Sequence, residues 1–359
     1  MAPATERKLQ NKMNLKTFTE SMLPAIETEL QRFVAKLDEP RTHHFHEMLT
    51  YHMGWSGEGS GPEATGKRIR PLLVLLTYAA ASGLTHKTGL ESTGWKRALP
   101  AAASVELIHN FSLVHDDIQD GSDLRRGRLT VWKKWGMPQA INAGDALFIL
   151  AHMALLETKE GFPLEIAMQA GSIINEACLA LSSGQFMDIS YEKRGDLVTE
   201  DYWPMISGKT AALLSACTQV GASLAGAEAP TQENYRCFGN YLGLAFQVQD
   251  DYLGIWGDSA LTGKSTESDL VAGKKSLPVL FGLSKNRTFA KRWAEGPIHS
   301  DEVGSLSEEL IVEGAKLFTQ EAADQMTDLA LQSLRAAEPQ GKAGEALFEL
   351  TQMLLNRKA

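Results

Sequence analysis

The chain has 359 residues, with 35 Lys and Arg against 44 Asp and Glu, for a formal charge of −9 at pH 7. Hydrophobic residues make up 43%, enough for a large core, which excludes a disordered tail, a collagen repeat or a small disulfide scaffold. The acidic surplus also excludes a general nucleic-acid binder, which needs an excess of Lys and Arg against phosphates.

The N-terminal segment is charged and has no apolar core, so no signal peptide is expected. Helical spacing of apolar residues begins at Leu15–Leu37. The histidines His43, His44, His46 and His52 follow, without a recognisable ligand pattern. A glycine-rich loop, Gly54–Gly66, is expected to be a mobile connector and leads into TGKRIRP, which offers Lys67, Arg68 and Arg70. The uncharged stretches Pro71–Thr85 and Thr210–Ala227 are too short or too polar to span a bilayer, so a cytoplasmic protein is expected.

A helix over Ala98–Val114 runs into HNFSLVHDDIQDGSDLRRGR. There Asp116, Asp117 and Asp120 stand at i, i+1 and i+4, one turn apart on a helix face. Crowded carboxylates at the end of an apolar segment resist ionisation, and Mg²⁺ shared with a phosphate resolves that conflict. Further helical patterns cover Ile141–Leu156, Leu164–Ser182, Ala211–Leu224, Tyr235–Leu253 and Gly314–Leu355, the last divided by AEPQGKAG. SGKT, with Lys209 and Thr210, lacks the first glycine of a phosphate-binding loop because position 203 is Trp, so a nucleotide loop is rejected. A second acidic pair, Asp250 and Asp251, closes FQVQDD, with Gln247 on the same face. Two such pairs facing across a bundle would clamp a metal-bound phosphate. Lys264 and Lys274 lie in the glycine-punctuated stretch 254–275.

No alternating strand pattern or Asn-Gly hairpin is present, so the fold class is all-α. The three cysteines, Cys178, Cys217 and Cys237, form no C-x-x-C pair and are expected to be reduced. One domain over 1–359 is expected, with a motif-bearing core at about 66–278 and C-terminal helices over 279–359.

In order, TGKRIRP, DDIQD with RRG, GDALF, GQFMD, GKT, FQVQDD, TGK and GKKSLP make the chain resemble the trans-isoprenyl diphosphate synthases, or polyprenyl synthetases. The resemblance implies an antiparallel helical bundle with a central apolar cavity. It implies a Mg²⁺-dependent prenyltransferase joining isopentenyl diphosphate to a dimethylallyl, geranyl or farnesyl diphosphate. Three Mg²⁺ would be held by Asp116, Asp117, Asp120, Asp250 and Asp251. Arg125, Lys209 and Lys264 would contact the allylic diphosphate, and Lys67, Arg70, His109 and Arg126 the isopentenyl diphosphate. Lys274 joins the substrate-binding set, and Thr210 and Gln247 would face the carbocation. The loops 54–66 and 254–275, with Arg357 and Lys358, are lid candidates. A homodimer is implied as well.

Five carboxylates and a diphosphate near about −3 carry roughly −8, which three divalent ions and three cationic side chains bring close to neutral. Gly254 departs from the family pattern, since it stands at the third acidic position of the second motif; Asp258 is a candidate substitute. Thr65 stands where glycine is usual. Phe111 and Ser112, five and four residues before Asp116, are the family's chain-length positions. Ser112 lies one turn below Asp116, and Phe111 is offset by roughly 140°. One aromatic there resembles members making C20 geranylgeranyl diphosphate, with C15 farnesyl and C25 as alternatives. A class I terpene cyclase would leave Lys67, Arg70 and His109 without purpose. A non-catalytic partner subunit is favoured only by Gly254.

Overall fold

The computed structural model describes residues 4–83, 93–257 and 269–355. Helices carry the fold, as the sequence periods predict. Those of seven or more residues are α1 (Ala4–Val34), α2 (His43–His52), α3 (Ile69–Ser82), α4 (Leu99–Gln119), α5 (Met137–Glu157), α6 (Leu164–Glu192), α7 (Thr199–Ile206), α8 (Ala212–Leu224), α9 (Ala229–Trp256), α10 (Leu277–Ser284), α11 (Thr288–Ala294), α12 (Val303–Val312), α13 (Ala315–Ala336) and α14 (Gly341–Leu355). The helix over Tyr235–Leu253 continues through Gly254 to Trp256, and that over Leu164–Ser182 reaches Glu192.

The chain divides into two compact units. The first comprises Met1–Asn175, Ala216–Glu233 and Glu338–Glu349. In it α3 is apolar all round, with Leu72 to Leu76 at 2% exposure or less, so it is a central helix. Small residues let backbones approach. A Cβ on Gly221 of α8 would stand 2.6 Å from the Val74 carbonyl oxygen, and one on Gly144 of α5 would stand 2.2 Å from His115 Nε2 on α4. Helix α5 packs along α4 on one face. By length and composition the segment Met137–Glu160 could cross a membrane, but 44% of its apolar window is buried inside the protein.

The sequence shows no hairpin signal, yet a two-residue ribbon forms. Strands β1 (Leu124–Arg125) and β2 (Arg128–Leu129) pair antiparallel around Arg126 and Gly127. Both central residues have positive φ, 52° and 72°, which is the twist a two-residue hairpin requires. Arg-Gly does here what Asn-Gly does more often.

The second unit comprises Glu176–Ser215, Asn234–Ala337 and Leu350–Ala359. One core gathers Tyr202, Met205, Ile206, Leu244, Val248 and Leu277. Another gathers Leu270, Val279, Phe289, Ile298, Leu306 and Leu310.

Candidate active site

The first acidic cluster forms as its spacing predicts. Helix α4 delivers Asp116 and Asp117 in its last turn, and Asp120 caps its C-terminus, where its N–H donates to the Asp116 carbonyl at 2.8 Å. The negative end of the helix dipole lies there, so three carboxylates repel both one another and the helix end. Asp117 is 2% exposed, and burial pushes its carboxyl up to about 6 despite Arg125 beside it. Arg125 donates from Nε and sets NH2 against Asp117 Oδ1, both at 2.8 Å, and lies 3.5 Å from Asp116 Oδ2.

The basic segments are built around a buried pin that the sequence does not reveal. Arg68 is 4% exposed. It donates to Glu27 Oε1 at 2.6 Å, to Glu106 Oε1 at 2.9 Å and to the Met53 carbonyl at 3.2 Å. Lys67 on one side is exposed, whereas on the other side Arg70 sets NH1 3.1 Å from His109 Nε2. Burial and the Arg70 charge hold His109 well below the usual imidazole range, so it is neutral and accepts from Arg70. The Nε of Arg70 is buried without a hydrogen-bond partner. Arg126 donates to the Ala64 carbonyl at 2.7 Å, and its guanidinium fills the space a Cβ on Gly66 would need. Among the described residues, Arg68 and Arg126 are two of four non-glycine residues with positive φ. Such strain persists only where the surroundings hold it.

His52, a member of the N-terminal histidine group, is driven down to about 3 by burial and by Arg125, Arg126 and Arg68. The 54–66 loop, expected to be mobile, is tied down by Arg128. Its guanidinium donates to the carbonyls of Tyr51 at 2.7 Å, Ser56 at 2.6 Å and Glu58 at 2.9 Å.

The second unit carries the other half of the candidate residues. Pro204 lacks an N–H inside α7, and the helix loosens into a π turn over Ser207–Ala211, a distortion common at functional sites. This turn presents Lys209 and Thr210. Lys209 Nζ pairs with Asp188 of GQFMD, a residue to which sequence reasoning gave no role. Thr210 Oγ1 donates to Gln247 Oε1 at 2.8 Å, and Gln247 Nε2 donates to Asp251 Oδ1 at 2.9 Å. The Leu277 N–H donates to the other Asp251 oxygen at 3.1 Å. Burial, with Asp269 beside it, pushes the Asp251 carboxyl up to about 7. Asp250 stands next to it, half-buried.

Asp269 was missed by the sequence reading and stands against the departure at Gly254. A Cβ on Gly254 would lie 2.3 Å from Asp269 Oδ2. Its only sequence signal was that glycine at an acidic position. Lys274 is exposed, and Lys275 turns its ammonium over the Trp293 ring at 5.0 Å. Lys264, the Asp258 substitute, half of the 254–275 lid candidate, and Arg357 and Lys358 lie outside the described residues.

Phe111 packs edge-on to His115 at 5.0 Å and against Phe148 of α5 at 4.8 Å. Ser112 donates to the His109 carbonyl at 2.8 Å, so its hydroxyl is spent on its own helix.

Both acidic clusters fit a hard divalent cation. Their donors are all oxygens, and each contains a buried carboxyl held above the ordinary range, a cost that cation binding offsets.

The polyprenyl synthetase family profile matches residues 61–308. A (2E,6E)-farnesyl diphosphate synthase of Mycobacterium tuberculosis is 42% identical over 264 residues, covering 73% of this chain and 69% of that protein. A geranylgeranyl diphosphate synthase of the same organism is 35% identical over 337 residues, covering 92% and 90%. A polyprenyl synthetase from Streptomyces coelicolor superposes with a TM-score of 0.82 at 33% identity, covering 95% of this chain and 99% of that one. With the ordered motifs, the all-helical fold and these matches in agreement, the chain belongs to the polyprenyl synthetase family of prenyltransferases.

Proposed function

We propose that this prenyltransferase condenses isopentenyl diphosphate with an allylic diphosphate, head to tail and in trans, and releases C20 geranylgeranyl diphosphate. The observation that carries the reading is the pair of acidic clusters, each with a buried carboxyl held far above its ordinary value, in a chain of this family. Asp116, Asp117 and Asp120, together with Asp250 and Asp251, would hold Mg²⁺, three ions by family resemblance. When bound, the metal supplies charge neutralisation for the departing diphosphate.

The side chains do the rest. Lys209 holds the allylic diphosphate as a point charge, with Arg125 and Lys264 in support. Arg70, Lys67 and Arg126 hold isopentenyl diphosphate. Neutral His109 accepts from Arg70 through Nε2, which leaves its other ring nitrogen as a donor to the same phosphate. Lys274 adds positive charge to the substrate-binding set. The allylic C–O bond breaks, and its electron pair leaves with the diphosphate. The double bond of isopentenyl diphosphate attacks the allylic cation to form the new C–C bond, and the proton then lost passes to the diphosphate. Thr210 has its proton committed to Gln247, so it turns only lone pairs toward the cation. It stabilises the charge without donating a proton, as does the amide oxygen of Gln247.

Relatives of this chain carry the names of both C15 and C20 enzymes. Small, self-satisfied Ser112 beside a single aromatic at Phe111 supports C20 over C15. Helix α5 also carries an exposed apolar stripe at helical spacing, Met137, Ile141, Ile149, Met153 and Leu156. It supports a homodimer formed through that face.

The test is incubation of the purified chain with Mg²⁺, isopentenyl diphosphate and each allylic diphosphate, with products resolved by mass. A C20 product is expected. A C15 product overturns the length, and product without isopentenyl diphosphate overturns condensation in favour of cyclisation. No product from the chain alone, with activity restored by a second protein, identifies a partner subunit.

A further inference from the structure

A second set of metal-ligating side chains lies apart from the acidic clusters, where α1 hands over to α2. Asp38 follows the short 3-10 turn Ala35–Leu37, and His43 and His46 stand one turn apart on the same face of α2. One ligand atom from each of Asp38, His43 and His46 can be chosen so that all lie within 4.8 Å of one another. Asp38 Oδ1 is 2.8 Å from His43 Nδ1, a hydrogen bond that a bound ion would replace, and 3.7 Å from His46 Nδ1. Donors on a tetrahedral zinc ion, at bond lengths of about 2.1 Å, stand roughly 3.4 Å apart, and the two observed distances bracket that value.

Two further observations point to a ligand. The three side chains open onto a groove of about 650 Å³, with the rings of Tyr51 and Trp135 on its wall. The far nitrogen of His43 also faces a carboxylate, with Nε2 3.6 Å from Glu47 Oε1, an ion-pair distance just beyond hydrogen-bond reach. A carboxylate behind a ligating imidazole fixes its tautomer and raises its basicity, the usual support for a histidine bound to metal. Glu47 is fixed in turn, since its other oxygen is 2.8 Å from His44 Nδ1.

We propose that Asp38, His43 and His46 form a binding site for a divalent transition ion of the zinc class, with Glu47 orienting His43. Two imidazoles and one carboxylate prefer such an ion to Mg²⁺, which takes oxygen donors. The site ties the residue after α1 to the first turn of α2. Helix α2 carries Tyr51, whose hydroxyl donates to the Leu129 carbonyl of the arginine hairpin at 2.9 Å. The ion is therefore a structural clip on the segment that supports the hairpin.

The test uses the full chain, stripped with chelator and kept in excess Mg²⁺ so that the all-oxygen clusters are occupied. Co²⁺ is the probe, because low-symmetry nitrogen-containing sites give strong visible absorption and octahedral oxygen sites give weak absorption. One equivalent of strongly absorbing Co²⁺, displaced by Zn²⁺, is expected. His46→Ala and Asp38→Asn should each abolish the absorption while prenyltransferase activity with Mg²⁺ persists. Glu47→Gln should keep the bands but weaken binding about 10- to 100-fold. Wild-type protein without the bands overturns the site, as do bands that survive in the His43→Ala/His46→Ala variant. A circular-dichroism spectrum of each variant separates lost ligation from lost folding. Zn²⁺ should raise the thermal midpoint of the wild type and leave that of the double variant unmoved.

Discussion

The carboxylate of Asp269 occupies the space beside Gly254: a Cβ on that glycine would stand 2.3 Å from Asp269 Oδ2 and 2.8 Å from its Cγ. A carboxylate from the following loop thus stands beside helix position 254, and its charge contributes to the raised Asp251 carboxyl. Asp269→Asn should raise the Mg²⁺ concentration for half-maximal activity about 10- to 100-fold, the range for a supporting carboxylate. Gly254→Ala meets only the far end of a side chain, so it should displace Asp269 and mimic that defect at nearly unchanged thermal stability. Wild-type Mg²⁺ dependence in both variants would remove Asp269 from the site.

Lys209 depends on two glycines that touch. A Cβ on Gly184 would stand 2.1 Å from the Lys209 nitrogen, and one on Gly208 would stand 2.5 Å from the Ala180 carbonyl oxygen. These neighbours are backbone and cannot swing aside. Gly184→Ala should cost about 1–3 kcal/mol of stability as overpacking and shift the π turn. Denaturant titration should show the loss, and the KM for the allylic substrate should rise. A Ser183→Ala control, at an exposed position on the same helix, should change neither.

These contacts show what a sequence can and cannot carry. Helical spacing and the ordered motifs were enough to give the all-helical fold and the family, because both depend on local pattern. Arg68 was unreadable, since three basic residues stand within KRIR and only the fold decides which one turns inward. Asp188 and Asp269 lay inside or beside recognised motifs, but their partners are 21 and 15 positions away, at Lys209 and Gly254. Arg-Gly was missed as a hairpin because Arg126 adopts a left-handed conformation that its type disfavours.

Arg68 joins Glu27, Glu106 and the Met53 carbonyl in a buried network. Arg68→Met takes the cationic partner from Glu106 at 3% exposure and leaves it only the Asn110 amide, which donates to Oε1 at 3.1 Å. Breaking such a pair costs about 3–5 kcal/mol, whereas removing both charges costs much less. Chemical denaturation should therefore find the Arg68→Met/Glu106→Leu double variant more stable than Arg68→Met alone. If the two effects simply add, the network is not coupled.

His52 and His109 are both held neutral, His52 near about 3 and His109 well below 6.5. Below the unfolded imidazole pKa of about 6.5, the unfolded chain takes up protons that the folded chain refuses, so stability falls as pH falls. The raised carboxyls of Asp117 and Asp251 act in the opposite sense, because below about 6 and 7 the folded chain binds the extra protons. The informative measurement is therefore a difference. Between pH 6 and 4, wild type should lose up to about 1.4 kcal/mol per pH unit more than His52→Asn, the equivalent of one proton. Parallel curves for the two proteins would show that His52 titrates normally.

Product length should be set where Phe111 meets Phe148. The ring centroids are 4.8 Å apart, so the two rings meet between α4 and α5, about 140° around α4 from Asp116. Ser112 adds nothing to that floor, since its small side chain is bonded to its own helix at the His109 carbonyl. Ser112→Phe places a ring one turn below Asp116 and should shift the product from C20 to C15. Phe111→Ala removes one of the two rings and should lengthen the product by at least one C5 unit. The Phe111→Ala/Phe148→Ala double variant should lengthen it further. Mass analysis of products under excess isopentenyl diphosphate reads all three. A distribution unchanged by Phe111→Ala would place the floor elsewhere, because truncating a ring that blocks a growing chain cannot leave its length untouched.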